Sequence, residues 1–163
     1  MDYSPILKQT DLLMDLDTER LKKISAICQE KMYNGYDVIF EENTPGDELY
    51  IILSGQVEIL VDPHTLGVTG DDVGEPSTIA TLRRGQSFGE VALVDQGVRS
   101  ASARCAQDGT KLLVINRDKF EQLCREDFEL GYLVMRAIAA DLSLKIRQTD
   151  LMVREQLLWG RRR

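Results

Sequence analysis

The feature that most restricts the fold is a change of rhythm along the chain. Between Gly35 and Ile115 the residues fall into short β-type runs: Asp37 to Phe40, Leu49 to Leu53, Gln56 to Val61, Ser77 to Leu82, Ser100 to Ala106 and Lys111 to Ile115. Glycines such as Gly46, Gly55, Gly85, Gly89, Gly97 and Gly109 separate them. Many short strands with frequent turns predict an all-β barrel or sandwich. Val57, Ile59 and Val61 alternate with Gln56 and Glu58, as in a strand with one buried face. The Gly- and Asp-rich stretch Asp62 to Pro76 reads as an extended hairpin loop.

Both flanks have helical spacing instead. Leu12, Leu13, Leu16, Leu21, Ile24 and Ile27 or Cys28 recur at helical intervals up to about Met32, and Asp17 or Thr18 followed by Glu19 marks a helix start. Beyond Arg117 no proline interrupts the pattern. There, Met135, Ala139, Leu142, Ile146, Thr149 and Val153 form one apolar stripe, with Leu144, Leu151 and Leu158 nearly opposite. A lone surface helix needs one apolar face, so the second predicts a contact with another chain or a further domain, a homodimer through the C-terminal helix being favoured. The 163 residues suit one domain: N-terminal helices over 1–34, β-structure over 35–116 and C-terminal helices over 117–163.

A net charge of −7 argues against broad, non-specific nucleic-acid binding, so an anionic ligand needs a local positive site. No apolar run approaches the ~20 residues of a membrane span, and the N-terminus does not read as a signal peptide, which places the protein in the cytoplasm. Cys28, Cys105 and Cys124 are too widely spaced for paired zinc ligands and read as buried free thiols. No Ser/His/Asp set, Walker loop or metal cluster stands out, so a binding module without cofactor or metal is expected, not an enzyme.

The chemistry is concentrated in Gly85 to Ala101, GQSFGEVALVDQGVRSA. Backbone amides of Gly89, Glu90, Val91 and Ala92, at the start of a short helical turn, suit a phosphate. Arg99 adds a permanent charge with a planar fork, and Ser100 a hydroxyl. Glu90 is an acceptor fit for a sugar 2′-hydroxyl. Spacing alone reads equally well as a turn capped by Glu90 with Arg99 in a surface ion pair.

As a set, FGE and RSA, Ile39 with Phe40, and GDELYIILSGQVEI from Gly46 to Ile59 resemble the cyclic nucleotide-binding domain family. That family is shared by catabolite activator proteins, regulatory subunits of cyclic-nucleotide-dependent kinases and cyclic-nucleotide-gated channels. The resemblance runs from Leu12 to about Gln148, and eight residues separate Glu90 from Arg99, as in kinase-type members. It implies a mainly β fold, an eight-stranded jelly-roll β-barrel with N-terminal helices and a long C-terminal helix. It also implies a ligand-binding set of Phe88, Gly89, Glu90, Val91, Ala92, Arg99, Ser100 and Ala101. In that set Arg99 pairs with the cyclic phosphate, Glu90 accepts from the ribose, Phe88 packs behind, and Gly46 and Gly55 serve strand turns. Val98 stands where many members have proline.

In the family the long helix folds over the purine; here Lys145, Ile146, Arg147 and Thr149 are the candidates, and they leave adenine and guanine open. The expectation is a sensor of a 3′,5′-cyclic nucleotide, cAMP ahead of cGMP, that signals through this helix to a partner chain or effector. A second reading is a dimerisation scaffold of the same fold that has lost its ligand. A third is a haem effector domain using His64 and Cys105. The chain ends about where activator-type relatives begin their helix-turn-helix, so DNA binding by this chain alone is not expected.

Overall fold

The computed structural model describes residues 1–66, 75–95 and 97–160. Two short helices, α1 (Ser4–Leu7) and α2 (Thr18–Ile27), lead into eight strands. The strands are β1 (Gln29–Tyr33), β2 (Val38–Phe40), β3 (Glu48–Ser54), β4 (Gln56–Val61), β5 (Ser77–Arg83), β6 (Ser87–Phe88), β7 (Ser102–Cys105) and β8 (Thr110–Asn116). Helices α3 (Arg117–Glu126) and α4 (Phe128–Gly160) follow. The strands form two four-stranded antiparallel sheets, ordered β1-β8-β3-β6 and β2-β7-β4-β5. This is the mainly β jelly roll with flanking helices that the sequence predicts.

Side-chain alternation explains the layers. Along β3, Leu49 and Ile51 point to the helices while Tyr50 and Ile52 point between the sheets. Along β8, Leu113 and Ile115 take the helix side and Leu112 and Val114 the inter-sheet side. The inner strands β3 and β8 are buried on both faces at their centres, so Leu49 to Leu53 and Leu112 to Ile115 read as unbroken apolar runs. Leu7, Leu13, Ile24, Phe120, Leu130 and Val134 complete the helix-side core.

Asp17 caps α2 by accepting from the Arg20 amide (2.9 Å), and Asn116 caps α3 by accepting from the Asp118 amide (3.0 Å). Between α3 and α4 the backbone breaks at Asp127 (φ −138°, ψ 86°). Its carboxylate accepts from the Leu130 amide (3.0 Å) and pairs with Lys23 (2.6 Å) and Arg20 (3.3 Å) of α2. The Lys23 hydrogen bond is foremost in pulling the Asp127 pKa down to about 2, with the Leu130 amide and Arg20 adding to it against the opposing effect of burial.

Four expectations need correction. Residues 29–33 are strand, not helix: α2 stops at Ile27, Cys28 is extended (ψ 144°), and pairing with β8 overrides the local pattern. The two-residue β6 was too short to leave a period. The run Ser100 to Ala106 is strand only over Ser102–Cys105. On α4 the buried line is Leu130, Val134 and Ile138, whereas Ala139, Ile146 and Val153 of the predicted stripe are exposed. Of the loop expected over Asp62 to Pro76, Pro63–Leu66 form a 3-10 turn carrying an exposed His64, and 67–74 lie outside the described residues, as do Arg161 to Arg163. All three cysteines are free, Cys105 fully buried and the others partly so. Burial pushes the Cys28 thiol up to about 12. Among the described residues no helix is long and apolar enough to cross a membrane, and no group of His, Cys, Asp and Glu is placed to hold a metal ion.

Candidate functional site

Arg99 is held at both backbone groups before its side chain is considered. Its amide donates to the Thr44 carbonyl and its carbonyl accepts from the Asn43 amide, each at 2.9 Å. The side chain then runs inward until the residue is only 7% exposed. Its guanidinium lies 4.1 Å from the Phe40 ring centroid, beside Tyr50 and Phe88, which stack at 5.1 Å. Such a face-on cation and ring attract each other. Nη2 donates to the Glu48 carbonyl (3.0 Å) and Nη1, more weakly, to the Gly89 carbonyl (3.4 Å).

Nε is buried without a partner, and among the described residues no carboxylate forms an ion pair with Arg99. Burial pulls the Arg99 pKa below the usual arginine range, although the surrounding Tyr50, Glu48, Asp47 and Glu90 oppose it. A buried cation left unpaired is costly, and an anion beside it would offset that cost.

Gly46 is what lets the guanidinium lie there. A Cβ at Gly46 would collide with Arg99 Nε and Cζ. Gly46 lies in the β2–β3 connection, and this clearance is a further role beside the one expected in a strand turn. Gly55 does serve a turn, joining β3 to β4 at φ 94°.

After β6 the chain turns through Gly89 in the left-handed region (φ 76°) into a 3-10 turn over Glu90–Leu93. The Ala92 amide is spent on the Gly89 carbonyl (3.2 Å), so of the four amides expected for a phosphate those before Ala92 belong to the unsatisfied first turn. The Glu90 side chain is 8% exposed, and its Oε1 accepts from Lys145 Nζ of α4 at 2.6 Å. The expected alternative, a surface ion pair of Glu90 with Arg99, is thus excluded. Lys145 also pairs with Asp141 (2.8 Å). Burial disfavours the Lys145 ammonium, but the hydrogen bonds to Asp141 and Glu90 outweigh it and its pKa rises.

Arg99 and Glu90 face one cavity of about 660 Å³, within the range of small-molecule sites. All eight predicted site residues line it. Phe88 and Ala92 are buried in its wall, Val91 and Ser100 lie at its mouth, and Ala101 is half-buried. From α4, Lys145 and Thr149 line it as expected; Ile146 and Arg147 do not. Gln148 and Met152 take their places, with Ile79 and Leu82 of β5 across the cavity. No single-residue signal marks these four, because helix register and sheet curvature select them. Cys105 is fully buried in β7 and His64 is exposed, and neither lines this cavity.

The sequence model of the cyclic nucleotide-binding domain matches residues 30–127, which include both sheets and the whole Glu90-to-Arg99 segment. The chain belongs to the cyclic nucleotide-binding domain family. It is 34% identical to a cGMP-dependent protein kinase, isozyme 2, of Drosophila melanogaster over 75% of this chain and 12% of that protein. It is likewise 34% identical to the cyclic AMP receptor protein of Thermus thermophilus, over 89% of this chain and 61% of that one. The crystal structure of the Thermus thermophilus catabolite activator protein superposes with a TM-score of 0.72 at 31% identity, covering 88% of this chain and 62% of that one. The chain thus spans under two thirds of these relatives. As a member of this family it is a cyclic nucleotide-binding regulatory domain.

Proposed function

We propose that this chain senses a 3′,5′-cyclic nucleotide, cAMP ahead of cGMP, and passes binding on through α4. The observation that carries this reading is the buried, uncompensated Arg99 guanidinium facing the cavity with Nε unpartnered. The cyclic phosphate pairs with Arg99, and the amides of Gly89, Glu90 and Val91, with Ser100, complete the cradle. Glu90 accepts from the ribose 2′-hydroxyl. The base lies beneath α4 near Gln148, Thr149 and Met152. The preference for cAMP is supported by the cyclic AMP receptor protein, which aligns over more of this chain than the kinase does, 89% against 75%.

The output is a shift in α4 received by a second copy of the chain or an effector. Tyr132, Ala139, Ile146 and Val153 recur every seven residues and are all exposed. With Met135, Leu142 and Thr149 between them, they make the a/d seam of a two-stranded coil, β-branched at two a positions. Since Leu142 and Thr149 also line the cavity, a dimer seam here is in direct contact with the ligand.

Calorimetric titration of cAMP and cGMP into the chain tests the reading. Binding of cAMP is expected, weakened on the order of a hundredfold or more in Arg99→Ala, which removes several charge-assisted hydrogen bonds. A folded protein that binds neither nucleotide overturns it and leaves the scaffold.

A further inference from the structure

The distal half of α4 has one described tie to the β-structure. Every described side chain from Ser143 onward is exposed. The Ser143 and Thr149 hydroxyls donate to carbonyls of their own helix. Lys145 alone crosses over, to Glu90. Its ammonium is fixed from behind by Asp141 one turn earlier, so it cannot swing freely along the helix.

The other end of this tie is the buried carboxylate that faces the cavity. A carboxylate has two oxygens and about four acceptor sites. Lys145 engages Oε1, so a second donor can use Oε2 without displacing it. A hydrogen bond of this kind gains from being short and charge-assisted, but only if the carboxylate is already aimed. With its side chain otherwise packed in the Glu90–Leu93 turn, the Glu90 head group is aimed by the lysine.

We propose that Lys145 is a positioning residue for Glu90: it orients the carboxylate toward a sugar 2′-hydroxyl and, through the same contact, straps the distal half of α4 over the ligand. This rests on the reading of the cavity as a cyclic nucleotide site. It makes ribose recognition and helix position two readouts of one ion pair, and it gives Lys145 a part in specificity without a contact to the base. The lysine side chain is half exposed, so replacing it leaves the core intact.

The test uses the full chain as wild type, Lys145→Gln, Lys145→Arg, Glu90→Gln and the Lys145→Gln/Glu90→Gln double variant. Each is titrated with cAMP and 2′-deoxy-cAMP. Wild type is expected to prefer the ribonucleotide by about tenfold or more. Lys145→Gln cuts that ratio by roughly threefold or more, Lys145→Arg restores it, and in the Glu90→Gln background Lys145→Gln changes the ratio no further. A ratio unchanged in Lys145→Gln, while wild type binds and discriminates, overturns the proposal and leaves the site reading standing.

Amide exchange on ligand-free protein tests the strap separately. Residues 143–155 are expected to exchange severalfold faster in Lys145→Gln than in wild type or Lys145→Arg; equal rates overturn the strap. If wild type binds no nucleotide, the site reading and the ribose role fall together, and the exchange rates still decide the strap.

Discussion

The two halves of α4 are one continuous helix under two different constraints. From Phe128 to Leu142 it sinks Leu130, Val134 and Ile138 into the core, each at most 1% exposed. From Ser143 on its described side chains are exposed, and among them Lys145 is tied to Glu90. The first half is fixed by dispersion and the removal of apolar surface from water, terms that operate whether or not a ligand is present. Among the described residues, the second half is tied by one ion pair between a half-exposed lysine and a buried carboxylate. A helix anchored at one end and lightly held at the other can report on the cavity without endangering the fold.

The largest effect that would sharpen this contrast is in the anchored half. Leu130→Ala is expected to lower the unfolding free energy by about 2–5 kcal/mol, measured by urea titration followed by circular dichroism. A loss under about 1 kcal/mol would erase the distinction between the halves. The junction should show a smaller, pH-dependent effect. Asp127 has its folded pKa depressed to about 2 from 3.8, so its stabilising contribution is complete above about pH 4 and is lost as pH falls toward 2. Unfolding should need less urea at pH 2.5 than at pH 5, and Asp127→Asn should narrow that gap; an identical gap would take this junction out of the account. The smallest effect on stability belongs to the free half. Ile146→Ser is expected to change it by no more than about 0.5 kcal/mol while shifting the mass seen by sedimentation from dimer toward monomer. A wild type that is already monomeric at micromolar concentration would break the seam.

The strands that bury both faces, β3 and β8, were legible because their centres, Leu49 to Leu53 and Leu112 to Ile115, are apolar without a break, and the Asp17 helix start was legible because a cap is a local signal. β1 was not. QEKMY has no amphipathic period, and it becomes a strand only because β8 offers it a partner. The Glu90-to-Arg99 segment could be read as chemistry, since amides, a carboxylate and a guanidinium occur within one short stretch. What could not be read was how each charge is compensated. Lys145 lies 55 residues from Glu90, and the guanidinium is set against Phe40 and Tyr50 from other strands. The register of α4 was misread for the same reason. Apolar residues that serve a cavity or a seam carry the same helical period as those that serve the core, so periodicity cannot tell these uses apart.

The clearance at Gly46 separates what keeps the domain folded from what seats its arginine. A methyl group there would press on the far end of a flexible side chain, which can move aside, and not on rigid backbone. The molecule would still fold, and its arginine would be turned out of place. Gly46→Ala in this chain is therefore expected to keep the shape of the domain and unseat the cation that its cavity buries.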